Sequence, residues 1–433
     1  MGFKKRRTGG RILGLPKYPN FLMEVLPPMK DFIRKVFKLE GYLIYRCWFE
    51  GSDVVIHVGR PRKEARCPHC KNLTRRVHQV RKAQRVFHCI FLGWRVFLQL
   101  TKRRFWCRGC DRAFTESMPG IRKWARRSDL LWVMAFDLLR HLSFRTCCDI
   151  TQTSYSSLSR ELIRVIKSGE IDWEGQYEQQ EQIVLGIDEH SFRGQRMATT
   201  ITDITNHRLL AVLKDYRKDT IKKFFRSIPP EIKEKIIELC GDMKWMYVNL
   251  TEKELPQAKM VVDKFHLIRD ANIKIDEARR IEQEATKKEI KRKIFLKNKE
   301  DLREKEKEQL GEYFKKYPSL KEFYWVKEKL REMYRAEGRK QGEEILDMVI
   351  AAMRVSDDGA ILCWRNMLRR WKNQILNYFG NRTTNAFTEG VHTKIKKIKR
   401  VSYGFRNADI YVRKVALSFI PITLLPLSSH FLL

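Results

Sequence analysis

Four acids and a histidine carry the first hint of chemistry. Ile183-Val-Leu-Gly-Ile187 is an apolar run that stops abruptly on Asp188-Glu189, which predicts a short buried strand with Asp188 at the rim of a sheet. A carboxylate there is well placed to hold a metal ion, although acids that merely close a strand and turn the chain are common. The arrangement recurs downstream: Ile236-Ile-Glu-Leu-Cys240 leads to Gly241-Asp242, and Lys259-Met-Val-Val262 leads to Asp263-Lys-Phe-His266. Glu389 falls near the start of a helix that Thr383 or Thr384 would cap, off its buried stripe of Phe387, Val391, Ile395 and Ile398. Carboxylates brought together in this way suit Mg²⁺ or Mn²⁺, hard ions that keep waters and bind phosphate oxygens directly.

A second constellation is sulfur. Cys67-Pro-His-Cys70 is answered by Cys107-Arg-Gly-Cys110, and two Cys-x-x-Cys knuckles can close a tetrahedral Zn²⁺ site because each presents two sulfurs on one tight turn. Between them Val86, His88, Ile90 and then Val96, Leu98, Leu100 alternate around Gly93, the pattern of a hairpin. A zinc ribbon is therefore expected over residues 61–118. Arg75, Arg76, Arg81, Lys82, Arg85, Lys102, Arg103 and Arg104, with Phe105 and Trp106, give it the basic and aromatic mix of a DNA-contacting surface. Cys47 and Cys89 have no partner at ligand spacing and read as structural.

The elements that must position these groups can be read in outline. Residues 1–60 suggest only a strand at Val54–Val58. In 119–170, Ser128, Ser143 and Ser154 stand where they would cap three successive helices. That is the plan of a helix-turn-helix, whose last helix would turn Tyr155, Ser156, Ser157, Ser159 and Arg160 into a major groove. A polar linker, Asp172 to Gln182, precedes the strand of Asp188. Three strands, a helix, a strand, a helix and a fifth strand then follow over 180–266, the order of a ribonuclease-H-like α/β fold. In that fold the first and fourth strands are neighbours, so Asp188 and Asp242 would sit side by side. Residues 267–379 are helix-forming and densely charged and read as an all-α insertion with Trp325, Trp364 and Trp371 in its core. The catalytic fold resumes over 380–417 with Glu389, and Lys394, Lys396, Lys397, Lys399 and Arg400 line one face of its helix. An apolar tail, 418–433, is too short and too interrupted by Pro421 and Pro426 to span a bilayer.

The bulk composition agrees. There are 88 Lys and Arg against 52 Asp and Glu, a formal charge of +36, which favours a polyanionic partner through counterion release. Lys4, Lys5, Arg6, Arg7 and Arg11 precede no apolar run long enough for a secretory signal, so the ten cysteines read as thiols and ligands in a reducing, cytoplasmic setting.

Taken together the motifs resemble the DDE transposases of bacterial insertion sequences, most closely the ISL-three family. The resemblance rests on Gly186-Ile-Asp-Glu189, Asp242-Met with Tyr247 beyond it, Asp263-Lys-Phe-His266, Thr384-Asn-Ala-Phe-Thr-Glu389-Gly390, and Ile395-Lys-Lys-Ile-Lys-Arg400 leading to Tyr403-Gly-Phe-Arg-Asn407. It implies a triad of Asp188, Asp242 and Glu389, with Asp263 and His266 as an accessory pair or Asp263 as the alternative second acid. It also implies two-metal strand cleavage and strand transfer on double-stranded DNA, at terminal inverted repeats and target, by a homodimer assembled on DNA at the bacterial nucleoid. DNA contacts would come from Tyr155, Ser156, Ser157, Arg160, Arg103, Arg104, Lys394 and Lys397. His392 departs from the pattern, which has asparagine there. The competing expectations are a catalytically inactive, transposase-derived DNA-binding regulator and a nuclease on the same fold.

Overall fold

The computed structural model describes residues 22–23, 27–61, 63–166 and 173–420. The basic N-terminal residues 4–11, the start of the linker and the tail beyond residue 420 lie outside them. The chain divides into two compact units, residues 1–166 with 420–433, and residues 167–419.

In the first unit the two cysteine knuckles flank a long hairpin, Val77–Phe91 and Trp94–Cys107. Leu92 and Gly93, both at positive φ (49° and 85°), make its two-residue turn, the geometry that matches the right-handed twist of the flanking strands. The segment 43–59 is part of the same sheet: Asp53–Gly59 pairs in parallel with Trp94–Cys107, and Leu43–Glu50 lies beyond it. The sheet therefore continues upstream of residue 61, over a core of Val54, Ile56, Val58, Val86, Val96, Leu98 and Leu100.

Three helices follow, α1 (Asp129–His141), α2 (Phe144–Thr151) and α3 (Tyr155–Val165). Ser128, Ser143 and Ser154 each accept a hydrogen bond from the backbone N–H three residues on, satisfying one of the amides that a helix start leaves bare. Gln152 ends α2 in the left-handed region, turning the chain sharply into α3.

The second unit is built on a five-stranded sheet: β1 (Ile183–Arg193), β2 (Arg196–Asp203), β3 (Arg208–Leu213), β4 (Ile236–Gly241) and β5 (Lys259–Val262), in the order β3-β2-β1-β4-β5. β2 and β3 run antiparallel, while β1, β4 and β5 are parallel. Asp188 does not end its strand as expected. β1 continues for five more residues because its antiparallel neighbour β2 goes on pairing, Thr200 opposite Asp188 and Met197 opposite Ser191. What stops is β4, whose last pair with β1 is Cys240 opposite Gly186. Asp188 thus stands in mid-strand, just beyond the edge of the parallel half.

The two-residue period of β1 separates its side chains. Ile183, Leu185 and Ile187 enter one core, while Phe192 enters a smaller one made with the last two described helices, α8 (Ala386–Val401) and α9 (Ala408–Phe419). The larger core is shared with α4 (Trp245–Glu254), α5 (Lys264–Thr286) and the helices that follow, including α6 (Pro318–Met333) and α7 (Gly359–Leu376). Between β5 and α8 the described residues are helical, with Trp364 and Trp371 buried and Trp325 packed against the same core. The α5 helix already starts at Lys264, so His266 sits in its first turn.

Candidate active site and metal centre

Asp188 points to the α8 side of the sheet. Its Oδ1 accepts the Glu189 amide at 2.7 Å, and its Oδ2 lies 3.3 Å from His392 Nδ1 on α8. Burial pushes this carboxyl up, but the His392 hydrogen bond, the charges of His392 and His266 and the Glu189 amide outweigh it and hold Asp188 below the usual carboxylate range. Glu189, one position on, faces the opposite way. It is held by Lys244 and by the Tyr247 hydroxyl, which leaves it committed to the core side.

Asp242 follows β4, its Oδ1 accepting the Met243 amide. His266 connects it to the next acid: Nδ1 lies 3.7 Å from Asp242 Oδ1 and Nε2 3.9 Å from Asp263 Oδ2. Asp263 stands at the N-cap position of α5, and its Oδ1 accepts the Asn385 amide at 3.1 Å. Lys244 is a further cation 3.9 Å from Asp242.

Glu389 is presented by α8, and the way that helix is seated differs from expectation. The N-cap is Asn385, not a threonine, because Thr383 turns inward and donates to Glu238. Val391, Ile395 and Ile398 do form the buried stripe. A polar seam runs beside it: Asn385 Nδ2 donates to Ile187 O at 3.2 Å, Thr388 meets Thr202 at 2.7 Å, and His392 meets Thr200 at 3.0 Å. Gly186 makes this seat possible, since a Cβ there would fall 2.5 Å from both Asn385 Oδ1 and Thr388 Oγ1. Burial raises Glu389, the nearby charge of Asp263 adds to it, and Asp188 contributes in the same direction against the pull of His266 and His392. Asp263 is likewise raised by burial, against the Asn385 amide and His266.

Glu389 Oε1 and Asp263 Oδ2 are both buried without a hydrogen-bond partner. Desolvated carboxylate oxygens left in this state suit a cation. Asp188, Asp242 and Glu389 nevertheless stand wider apart than a closed ligand shell. Among the described residues, the four cysteines are the group of His, Cys, Asp or Glu ligands whose atoms all lie within 4.8 Å of one another.

Those cysteines are Cys67, Cys70, Cys107 and Cys110, brought together by the hairpin, with Sγ–Sγ distances of 3.5 Å (Cys67–Cys110) and 3.4 Å (Cys70–Cys107). Burial opposes ionisation of Cys67, but the amides of Cys70 and His69 outweigh it and bring its thiol down to about 6. A four-thiol set of this size could bind zinc.

The residues expected to meet DNA are variously placed. Tyr155, Ser156 and Arg160 are exposed on α3 and Ser157 partly so, but Ser159 is buried on the inner face with Leu158 and Leu162. Arg103 is turned inward, its guanidinium forked over Glu116 at 2.8 Å and bonded to Arg60 O, so it does not offer the free charge expected of it. Arg104 is partly exposed. Lys397 is exposed on α8, whereas Lys394 donates to Ser418 O and lies 4.1 Å over the Phe419 ring. Sequence reasoning missed Lys244, Glu189 and the residues behind His392. The signal for the last was present in the even spacing of Asp188 and His190 along one strand face.

Comparison with known proteins supplies the context for this geometry. The chain is 23% identical over 397 residues to the transposase for insertion sequence element IS1001 of Bordetella parapertussis, covering 88% of this chain and 96% of that protein. It is 23% identical over 258 residues to the transposase for insertion sequence element IS1557 of Mycobacterium tuberculosis, covering 53% of this chain and 58% of that protein. The sequence profile of the ISL-three DDE family, described as Transposase, matches residues 185–415, which run from the strand of Asp188 to beyond the helix of Glu389. The chain belongs to the ISL-three family of DDE transposases.

Proposed function

We propose that the protein binds the ends of an insertion sequence and catalyses strand cleavage and strand transfer, with Asp188, Asp242 and Glu389 as the ligands of the catalytic ions. The observation that carries this reading is the approach of the acids from three separate elements toward His266, with Glu389 Oε1 and Asp263 Oδ2 left buried and unpartnered. The strand order β3-β2-β1-β4-β5 with α8 on one face supports a ribonuclease-H-like catalytic fold. Magnesium or manganese ions held by the three acids would supply Lewis acidity for the attacking oxygen, water or a 3′-OH, and for the leaving oxygen.

The protein's own groups do the positioning. His266, between Asp242 and the accessory acid Asp263, orients Asp242 as a ligand, and Lys244 stands beside Asp242 where a phosphate oxygen would enter. Asp242 is preferred over Asp263 as the second acid because it follows the end of β4, the strand beside β1, while one oxygen of Asp263 already accepts the Asn385 amide. The thiol cluster is assigned Zn²⁺, and α1, α2 and α3 act as a helix-turn-helix that turns Tyr155, Ser156, Ser157 and Arg160 to base edges. Arg104 and Lys397 contact the phosphate backbone. The working form is a homodimer assembled on double-stranded DNA at the cytoplasmic nucleoid. Among the described residues no helix is long and apolar enough to cross a membrane.

Incubation of the full chain with Mg²⁺ or Mn²⁺ and DNA carrying the element ends tests the reading. Cleaved and joined products are expected from the wild type, and cleavage by Asp188→Asn or Glu389→Gln should fall by at least a factor of about 10³, as when a group acting only in the transition state is lost. Near-wild-type cleavage by either variant refutes the triad. Cleavage without joining marks a nuclease, and specific binding without cleavage marks a regulator.

A further inference from the structure

Behind Asp188 runs a buried polar chain that the reaction as described does not use. His392 Nε2 lies 3.0 Å from Thr200 Oγ1, the same hydroxyl lies 3.0 Å from His190 Nδ1, and His190 Nε2 meets the Tyr411 hydroxyl. The four side chains come from α8, β2, β1 and α9, and all four are buried. They lie in an otherwise apolar cluster with Phe192, Val212, Val391 and Val415, where well-packed hydrophobic residues of similar size would serve stability at least as well. The chain leads to Asp188 Oδ2.

Its hydrogen-bonding groups give it a direction. Tyr411 and Thr200 each have one O–H to donate, and an imidazole that donates from one ring nitrogen accepts at the other. The single proton of Thr200 can be donated to only one of the two rings. If Tyr411 donates to His190 Nε2, then His190 Nδ1–H donates to Thr200, Thr200 donates to His392 Nε2, and His392 Nδ1–H is left facing Asp188. In this order the chain is satisfied from Tyr411 through to the carboxylate, and the N–H it leaves faces Asp188 Oδ2 with 3.3 Å between the heavy atoms.

We propose that His392, aligned by Thr200, His190 and Tyr411, is a positioning residue that fixes Asp188 for metal binding; this rests on the reading of Asp188 as a ligand. Outer partners of metal-binding carboxylates and imidazoles act in this way, and their loss weakens metal binding without removing a ligand. An asparagine at 392 could donate from Nδ2 to the same oxygen, so the chain here would reach the same end by a longer route.

The test is Mn²⁺ titration of the full-length, zinc-loaded protein without DNA, reading free Mn²⁺ by electron paramagnetic resonance. Asp188→Asn should abolish one binding event. His392→Ala should weaken that event by roughly 10–100-fold, and His392→Asn should recover most of the loss. Thr200→Val keeps the shape but breaks the chain, and serves if His392→Ala does not fold; it should weaken the same event. If Asp188→Asn removes the event while His392→Ala and Thr200→Val both stay within about twofold of wild type, the positioning role is overturned although the ligand assignment stands. If Asp188→Asn leaves Mn²⁺ binding unchanged, the ligand assignment itself fails, and the inference with it.

Discussion

Glu389 and Asp263 are carboxyls held above their ordinary range by burial and by neighbouring acids. The sign of their effect on folding follows from linkage. The unfolded chain ionises first as pH rises, so stability is lost between the ordinary carboxylate pKa and the raised native one. Glu389→Gln removes that loss. In chelator the variant should melt above wild type near pH 7, and the difference should vanish below about pH 4, where both forms are protonated. Differential scanning calorimetry at the two pH values checks it, and equal melting temperatures at neutral pH would contradict it. Asp188, held below its ordinary range, has the opposite sense: its contribution is present above the ordinary carboxylate pKa and is lost as the pH falls through the native one. At this scale Asp188, Asp242 and Asp263 were legible in the sequence because each follows an apolar run, and Glu389 only by its place near the start of a helix. The inward turn of Arg103 was not legible, because its partner Glu116 is thirteen positions away, just past the end of a neighbouring strand.

At the scale of elements the site depends on how α8 lies on β1 and β2. Gly186 provides the close approach, and Asn385, Thr388 and His392, spaced three and four apart on one helix face, supply the polar contacts. Gly186→Ala would overfill this contact, at a cost of about 1–3 kcal/mol in stability. The variant should retain DNA binding in a gel-shift assay and lose cleavage, because α8 and Glu389 move together; full cleavage would show the seam to be dispensable. The strand pattern of 183–262 was readable from the period of its apolar residues, and the three serine caps from their place before apolar helices. The true extent of β1 was hidden, since Asp188, Glu189, His190 and Ser191 resemble a turn until the pairing with β2 is known. The cap of α8 was misread for a related reason: Thr383 is drawn to Glu238, a partner 145 positions away.

At the scale of the molecule, charge and sulfur lead to two measurements. A chain of formal charge +36 that contacts some six to ten phosphates should lose about 10³–10⁵ in DNA affinity between 50 and 200 mM salt. A titration by fluorescence anisotropy across that range checks this, and a flat response would exclude a backbone-dominated interface. Replacing Cys67 and Cys107 by serine should release one zinc per chain by elemental analysis and weaken DNA binding; unchanged zinc content would remove the metal from the ribbon. The all-helical character of the region between β5 and α8 was visible in its composition, but not that its core is continuous with the sheet. Trp245 stacked on Trp371 at 4.6 Å ties the two, a pairing across 126 positions that no local pattern announces.

The length of that region also sets an order of events during synthesis. Asp263 meets the amide of Asn385 across 122 positions, and all of the chain upstream of α8 is synthesised before Glu389. A nascent or prematurely terminated product that already carries the cysteine knuckles and α1–α3 has no third carboxylate. If the knuckles and α1–α3 bind DNA as proposed, such a product would occupy it without breaking it, and fragments of this kind would compete with the finished protein for the same ends, lowering its output as translation becomes less complete.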